Sequence, residues 1–299
     1  MENIMKIGGT SVLRNPDLSM LETGQLKRFA PTIFARKPMD GVSESYGHVR
    51  TFDIIEAMRS NGYEIVEVRQ SQRRDESRMA FTKHMLKFKK AGSIKALLKR
   101  GDVVPQVIML NSHDRSSGFH LYAGMYRVVC SNGLMVADGQ FVEPIKVRHT
   151  SSMVADIVQR SAELIKGADG VYAIREQMLG VPLSEKAAVR FAAEAIQYRP
   201  PGRAGVLDPA ILLTARRDED KVNDLWHVFN RVQENMLRGG NETTTELGRV
   251  VQTRGIGRIE RDVQVNSALW GLAVETLNKA GKAPKVKAKS KKAVAEEEI

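Results

Sequence analysis

Residues 103–139 read VVPQVIMLNSHDRSSGFHLYAGMYRVVCSNGLMVADG, and the spacing of their apolar residues decides the fold. Val103 to Leu110 is a short, β-branched run, long enough for a strand. Ser112 to Ser117 is polar and makes a turn. In the next run Phe119, Leu121, Ala123, Met125 and Val129 alternate with His120, Tyr122, Tyr126 and Cys130, with Gly124 between the tyrosines. Strict alternation places these two sets on opposite faces of a strand. Asn132-Gly133 sits between two apolar runs, and both residues tolerate positive φ, so a two-residue hairpin is expected there. Strands joined by short reversals make an antiparallel meander.

Working outward, Val49, Phe52, Ile55 and Met58 recur at helical spacing, and Asn61-Gly62 stops that helix. Ile65, Val66 and Val68 follow as a strand. RMAFTKHMLKFKK (78–90) then alternates. Met79, Phe81, Lys83, Met85, Lys87 and Lys89 share one face; Ala80, Thr82, His84, Leu86 and Phe88 share the other. Residues 46–150 therefore form an α+β core, an antiparallel β-meander packed with a helix. Residues 1–45 lack periodicity and are broken by Pro16, Pro31 and Pro38, which predicts a loosely attached N-terminal arm. After His149 the period changes. Thr150, Ser151 and Ser152 are good helix caps, and Val154, Ile157, Val158 and Ile165 follow. Further helices carry SEKAAVRFAAEAI, the stripe Val222, Leu225, Trp226, Phe229, Val232, Met236, and the stripe Ile256, Ile259, Val263, Leu269, Trp270, Leu277. The expected organisation is a helical region over 151–278 packed on the core, then a disordered Lys-rich tail over 279–299.

The chain has 299 residues, 42% apolar and 27% charged, which is ordinary for a globular protein with a real core. One cysteine excludes a disulfide framework and a Cys-based zinc site. No secretory signal is visible, and no run approaches the roughly 18 apolar residues that cross a bilayer. A cytoplasmic protein that does not enter membranes is expected. Net charge is +11 and uneven. Residues 69–100 hold eleven Lys/Arg against Asp75 and Glu76, and residues 279–299 hold seven Lys against three Glu. The rest is near neutral. Localised positive charge points to a polyanionic partner.

Candidate chemistry is sparse. Cys130 has no base near it along the strand, since His120 lies ten residues back at about 3.3 Å per residue. It reads as a packed thiol beside a tight turn. His113-Asp114 with His120 hints at a metal, but no second His/Asp pair accompanies them, and a hydrogen-bonded turn aspartate explains Asp114. GxxxxGK[ST] is absent, as is GxGxxG after a strand. No cofactor, metal or catalytic residue is assigned, and the chain reads as a non-enzyme.

The basic segment is more informative. Lys83, Lys87 and Lys89 repeat on one face, with Arg69, Arg73, Arg74 and Arg78 leading into it. Such a face offers cations to successive phosphates, and Tyr122 and Tyr126 are candidates to stack bases if their face is open. The glycine-rich GGNETTTELGRVVQTRGIGR (239–258) joins two helices, and Arg249 and Arg254 within it are candidate phosphate contacts.

VIMLNSHDRSSGFHLYAGMYRVVCSNGLMV (107–136) resembles the central block of the phage- and plasmid-borne "domain of unknown function 932" family. LWHVFNRVQENMLRGG and GRVVQTRGIGRIERDVQVNSALWGLA resemble its C-terminal blocks, so the likeness spans roughly residues 40–275. It implies carriage on mobile elements and transfers no catalytic residue. The helix-and-meander core is more distantly similar to Redβ/Erf-type single-strand annealing proteins, which implies a basic groove along an oligomeric ring and no need of ATP. The expected function is single-stranded DNA binding and annealing in phage or plasmid replication or recombination, by a homo-oligomer. The rival expectation is a protein-interaction module that sequesters a host factor.

Overall fold

The computed structural model describes residues 4–7, 9–15, 17–41, 48–93, 103–127, 133–136, 153–199, 207–245 and 247–281. Among the described residues seven strands form one antiparallel sheet in chain order: β1 (Ile4–Ile7), β2 (Thr10–Arg14), β3 (Tyr63–Ser71), β4 (His84–Lys90), β5 (Val103–Asn111), β6 (His120–Arg127) and β7 (Gly133–Val136). The meander read from 103–139 is present. Val107 lies opposite Ala123 and Met109 opposite Leu121 on one face, Ile108 opposite Tyr122 and Val104 opposite Tyr126 on the other. The reversal differs in place. Tyr126 pairs with Gly133, so Gly133 lies within β7 rather than in a two-residue turn, and residues 128–132 lie outside the described residues.

Helices α2 (Thr51–Ser60) and α3 (Met153–Lys166) cover the first face. Ile54, Ile55, Met58 and Ile157 pack on Ile65, Val68, Leu86, Phe88, Val107, Met109 and Leu121. Each fully buried Leu or Ile here contributes about 1.5–3 kcal/mol relative to exposure. The N-terminal segment belongs to this core, which corrects the loose arm. Leu13 pairs with Val68, and α1 (Thr23–Phe29) with the 3₁₀ turn Pro31–Phe34 buries Leu26, Ala30 and Ile33. Pro31 opens that turn, where its missing N–H costs nothing. Only β1 is peripheral, an edge strand with Ile4 and Met5 exposed.

The helical half comprises α4 (Ala168–Leu179), α5 (Glu185–Ile196), α6 (Leu225–Arg238) and α7 (Ile259–Lys279) around Trp226, Phe229 and Trp270, with ring centroids 5.9 and 6.0 Å apart. Ser184 and Asp224 cap α5 and α6 through bonds from Ala187 N and His227 N. Helix α6 is buried nearly all round, although Asn230, Gln233, Glu234 and Asn235 lie on it. Each of them makes a hydrogen bond in place: Asn230 donates to the Trp226 carbonyl, Arg217 donates to both Glu234 oxygens, Asn235 donates to the Leu212 and Thr214 carbonyls, and Gln233 donates to Asn266. Such bonds offset the cost of taking these polar groups out of water.

The first turns of α7 reach across to the second face of the sheet, where Ile259 and Val263 pack on Met85, Ile108, Leu110 and Tyr122. No described helix is long and apolar enough to cross a membrane. Cys130, the residues 150–152 read as caps and the tail from 282 onward lie outside the described residues.

Candidate nucleic-acid interface

The lysines of β4 do share a face, but that face is interior and its cations are paired within the chain. Lys87 is 1% exposed. Its Nζ lies 3.0 Å from Glu67 Oε1. Arg69 Nε donates to the same oxygen at 2.7 Å, and Arg14 donates to Glu67 Oε2 at 3.2 Å. Arg69 continues to Asp262 Oδ2 of α7 at 2.5 Å, Lys89 pairs with Glu64, and Lys83 pairs with Glu260. Arg69, Lys83, Lys87 and Lys89 are therefore corrected as phosphate contacts. These four cations of the block that is strongly basic in sequence are neutralised in space by carboxylates from β3 and from α7.

A β-bulge makes this pairing possible. Glu67 lies opposite Lys87 and Ile65 opposite Phe88, so Val66 is an extra residue in β3. With it, glutamates three apart meet lysines two apart. Burial alone would raise the Glu67 carboxyl, but Arg69, Lys87 and Arg14 outweigh it and hold it far below the usual carboxylate range. Burial also pushes the Lys87 ammonium down. The two guanidiniums keep Glu67 ionised regardless.

Tyr122 and Tyr126 are interior too, at 8% and 4% exposure. Tyr122 lies under Ile259 and Val263, while Tyr126 packs with Leu18, Val66 and Val104, and the Arg14 guanidinium sits 5.4 Å from its ring centroid. They are corrected as base-stacking residues. The C-terminal half supplies the cover over Tyr122, an element that the local pattern of β6 does not announce.

The cations that reach solvent lie elsewhere. Arg73, Arg74 and Arg78 are exposed in the segment between β3 and β4, which is a 3₁₀ turn over Glu76–Phe81 rather than strand. Arg115 projects from the β5–β6 turn, where Asp114 accepts hydrogen bonds from Ser116 as a turn aspartate. Arg73 faces the largely covered Asp114 at 3.7 Å, a long contact, and Arg78 faces Asp75 at 3.4 Å in an exposed pair worth little. Arg249, Arg254 and Arg258 are exposed on and below a two-stranded hairpin, β8 (Glu242–Thr244) and β9 (Val250–Gln252), where the sequence suggested only a joining loop.

Two glycines seat that hairpin. Gly239 ends α6 at φ 67°, ψ −151°, a conformation open essentially to glycine alone. A Cβ there would lie 2.5 Å from the Arg254 carbonyl carbon and 2.6 Å from Gly255 N. Gly239→Ala is expected to lower stability by about 3 kcal/mol from backbone strain and clash, read as a drop in urea midpoint. Gly240→Ala has open space around it and positive φ only, so its loss should be visibly smaller.

A buried histidine cluster lies at the junction of α2, β4 and β5. The rings of His48 and His84 lie 4.7 and 5.2 Å from that of His113. Thr51 Oγ1 lies 2.8 Å from His84 Nε2 and 3.3 Å from His113 Nε2, and accepts from Asn111 Nδ2 at 3.0 Å. Burial pushes His84 down to about 4 and His113 down to about 2, the latter also because its imidazole neighbours repel a second charge. Among the described residues no group of three His, Cys, Asp or Glu is placed to hold a metal.

Residues 38–270 match the family described as a domain of unknown function, DUF932. The chain is 31% identical to the UPF0380 protein YafZ of Escherichia coli (strain K12) over 249 residues, 83% of this chain and 89% of that one. It is also 31% identical to the UPF0380 protein YfjQ of the same organism over 253 residues, 85% and 90% of the two chains. No solved structure matches. With the match running from before α2 into α7, and so across both the sheet and the helices that cover it, the chain belongs to the DUF932 family.

Proposed function

We propose that the protein binds single-stranded DNA without transforming it, and so protects or anneals strands in replication or recombination, using exposed arginines rather than the lysine face of β4. One observation carries this reading. Arg74, Arg115, Arg249, Arg254 and Arg258 are exposed and, among the described residues, face no carboxylate within ion-pair distance. Guanidiniums held at a surface without an internal partner are suited to phosphate oxygens. Arg73 and Arg78 extend the set. Arg258 immediately precedes α7, and Lys83 grips Glu260 in its first turn, so the base of the hairpin is tied to the end of the sheet that carries Arg73 and Arg74. The lysines from 279 onward add sequence-independent attraction.

The test is a salt-titrated gel shift with single- and double-stranded oligonucleotides. Arg74→Glu, Arg115→Glu, Arg249→Glu and Arg254→Glu combined should weaken single-strand binding about tenfold or more and flatten the dependence on log salt by about 0.7 per lost contact. The fold should be unaffected, since none of these side chains is buried. Unchanged affinity and slope would overturn the reading. Charge reversal at Lys83, Lys87 and Lys89 is not an equivalent test, because it sets new carboxylates against Glu67, Glu64 and Glu260.

A further inference from the structure

The hairpin β8–β9 has a feature that phosphate contact does not use: two exposed apolar side chains at its end, beside Glu246 in the sequence. Leu247 is 82% exposed and Val250 is 69% exposed, the two largest exposures among the bulky apolar side chains described. The tip is also rigid. Thr245 N donates to the Arg249 carbonyl at 2.9 Å, Gly248 N donates to the Thr245 carbonyl at 2.9 Å, and Arg249 N donates to Thr245 Oγ1 at 3.1 Å. Gly248 holds φ 73°, in the left-handed region that glycine favours, and residue 246 lies outside the described residues. These bonds hold the backbone on either side of Leu247, whose side chain stands in solvent. The base of the hairpin is clamped too: Gly240 N donates to the Thr253 carbonyl, and Arg199 donates to the Arg254 carbonyl.

We propose that Leu247 is a wedge that inserts between unpaired bases of a single DNA strand, while Arg249 and Arg254 hold the flanking phosphates. This rests on the single-strand reading above and assigns the hairpin its part in it. The occupant follows from charge and shape together. An apolar side chain on a narrow arm, with arginines on the strand beside it and on the loop below, suits a ligand with flat apolar faces strung on an anionic backbone. Unpaired bases offer such faces, and apolar side chains wedged between base steps unstack them. The wedge is short and carries no charge, so it contributes to affinity without contributing to the salt dependence. That separates it from the arginines.

Two variants of the full chain test it. Leu247→Trp places an indole at the tip, while Trp226 and Trp270 are buried and give a constant background. On saturation with oligo(dT) the emission of the new indole should fall by roughly half through stacking on the bases. Leu247→Ser should weaken binding of the same oligonucleotide severalfold with an unchanged salt slope, and should abolish the brightening of a 2-aminopurine reporter that the unaltered chain produces. If the chain binds oligo(dT) but the indole emission stays constant and the reporter stays dark, the wedge is wrong and the arginine reading stands. If the unaltered chain binds no single-stranded DNA, both fall. Should Leu247→Ser leave DNA affinity untouched yet remove a nuclease-resistant protein partner, the tip serves a protein and the wedge is again overturned.

Discussion

Glu67→Gln is expected to cost about 3–5 kcal/mol, a large part of the 5–15 kcal/mol that holds a typical domain together. The carboxylate is 1% exposed and faces three cations: Arg69 at 2.7 Å, Lys87 at 3.0 Å and Arg14 at 3.2 Å. Removing it strands buried positive charges that have lost their desolvation repayment. The loss should spread. Arg69 also holds Asp262, which accepts from Asn266, which in turn accepts from Gln233 of α6. A continuous buried chain of polar bonds thus runs from the sheet through α7 into the centre of the helical half. Lys87→Met should behave differently. It removes a cation whose burial already pushes its pKa down, leaves Glu67 two guanidiniums, and keeps similar volume, so it should cost less than about 1.5 kcal/mol. Urea melts followed by tryptophan emission give both values. Equal losses in the two variants would mean that Glu67 is not the anchor between the two halves.

The same network explains which parts of the molecule were legible in the sequence. Strands β3 to β6, α2 and the helices from α3 onward follow from periods of two and of 3.6, because each is driven by a face that must be buried. The N-terminal segment was illegible for the converse reason. Strand β2 is short and buried on both faces, so Thr10, Ser11 and Arg14 are interior alongside Val12 and Leu13, and no alternation marks it. The basic face was legible as a face but not as an interior. Lys83, Lys87 and Lys89 alternate in the manner of an exposed phosphate-binding strand, and only carboxylates distant in sequence (Glu260 and Asp262) or shifted by a bulge (Glu64 and Glu67) reveal otherwise. Sequence-local charge counts measure a block, whereas electrostatics acts between neighbours in space. Arg73, Arg74, Arg78, Arg249 and Arg254 stay exposed because each sits in a turn, loop or hairpin with no layer above it. The hairpin itself was hidden because β8 and β9 have three residues each, too few for a period to show.

The second large effect is on acid stability. Between pH 7 and pH 4.5 the fold is expected to lose about 5 kcal/mol through His84 and His113 alone. Both are held below the ordinary histidine value of 6.5, to about 4 and about 2, chiefly by burial. The sign is the reverse of a histidine that gains a partner. Above pH 6.5 the rings are neutral whether the chain is folded or not, and their burial costs nothing in charge. As pH falls below 6.5 the unfolded chain takes up two protons that the folded chain refuses, so stability drops by up to about 2.7 kcal/mol per pH unit until His84 protonates near 4. Asp114, which favours the charged ring of His84, is the nearby carboxylate; it is drawn toward Arg73 and does not lift His84 to its ordinary value. The hydrogen bonds point the same way. His84 Nδ1 donates to the Thr82 carbonyl at 3.1 Å, and Nε2 lies 2.8 Å from the Thr51 hydroxyl, which can donate to it and so satisfy the neutral ring in place. This window is separate from that of Glu67, whose contribution is present above its unfolded value of 4.5 and falls away only at lower pH. Urea midpoints measured at half-unit steps from pH 7.5 to 4.5 should therefore fall steeply from about pH 6.5. His113→Gln, which keeps a donor toward Thr51, should halve the slope across that range. A flat profile above pH 5 in the unaltered protein would show that the imidazoles are hydrated or open in solution, and that the junction of α2, β4 and β5 is not the closed core described.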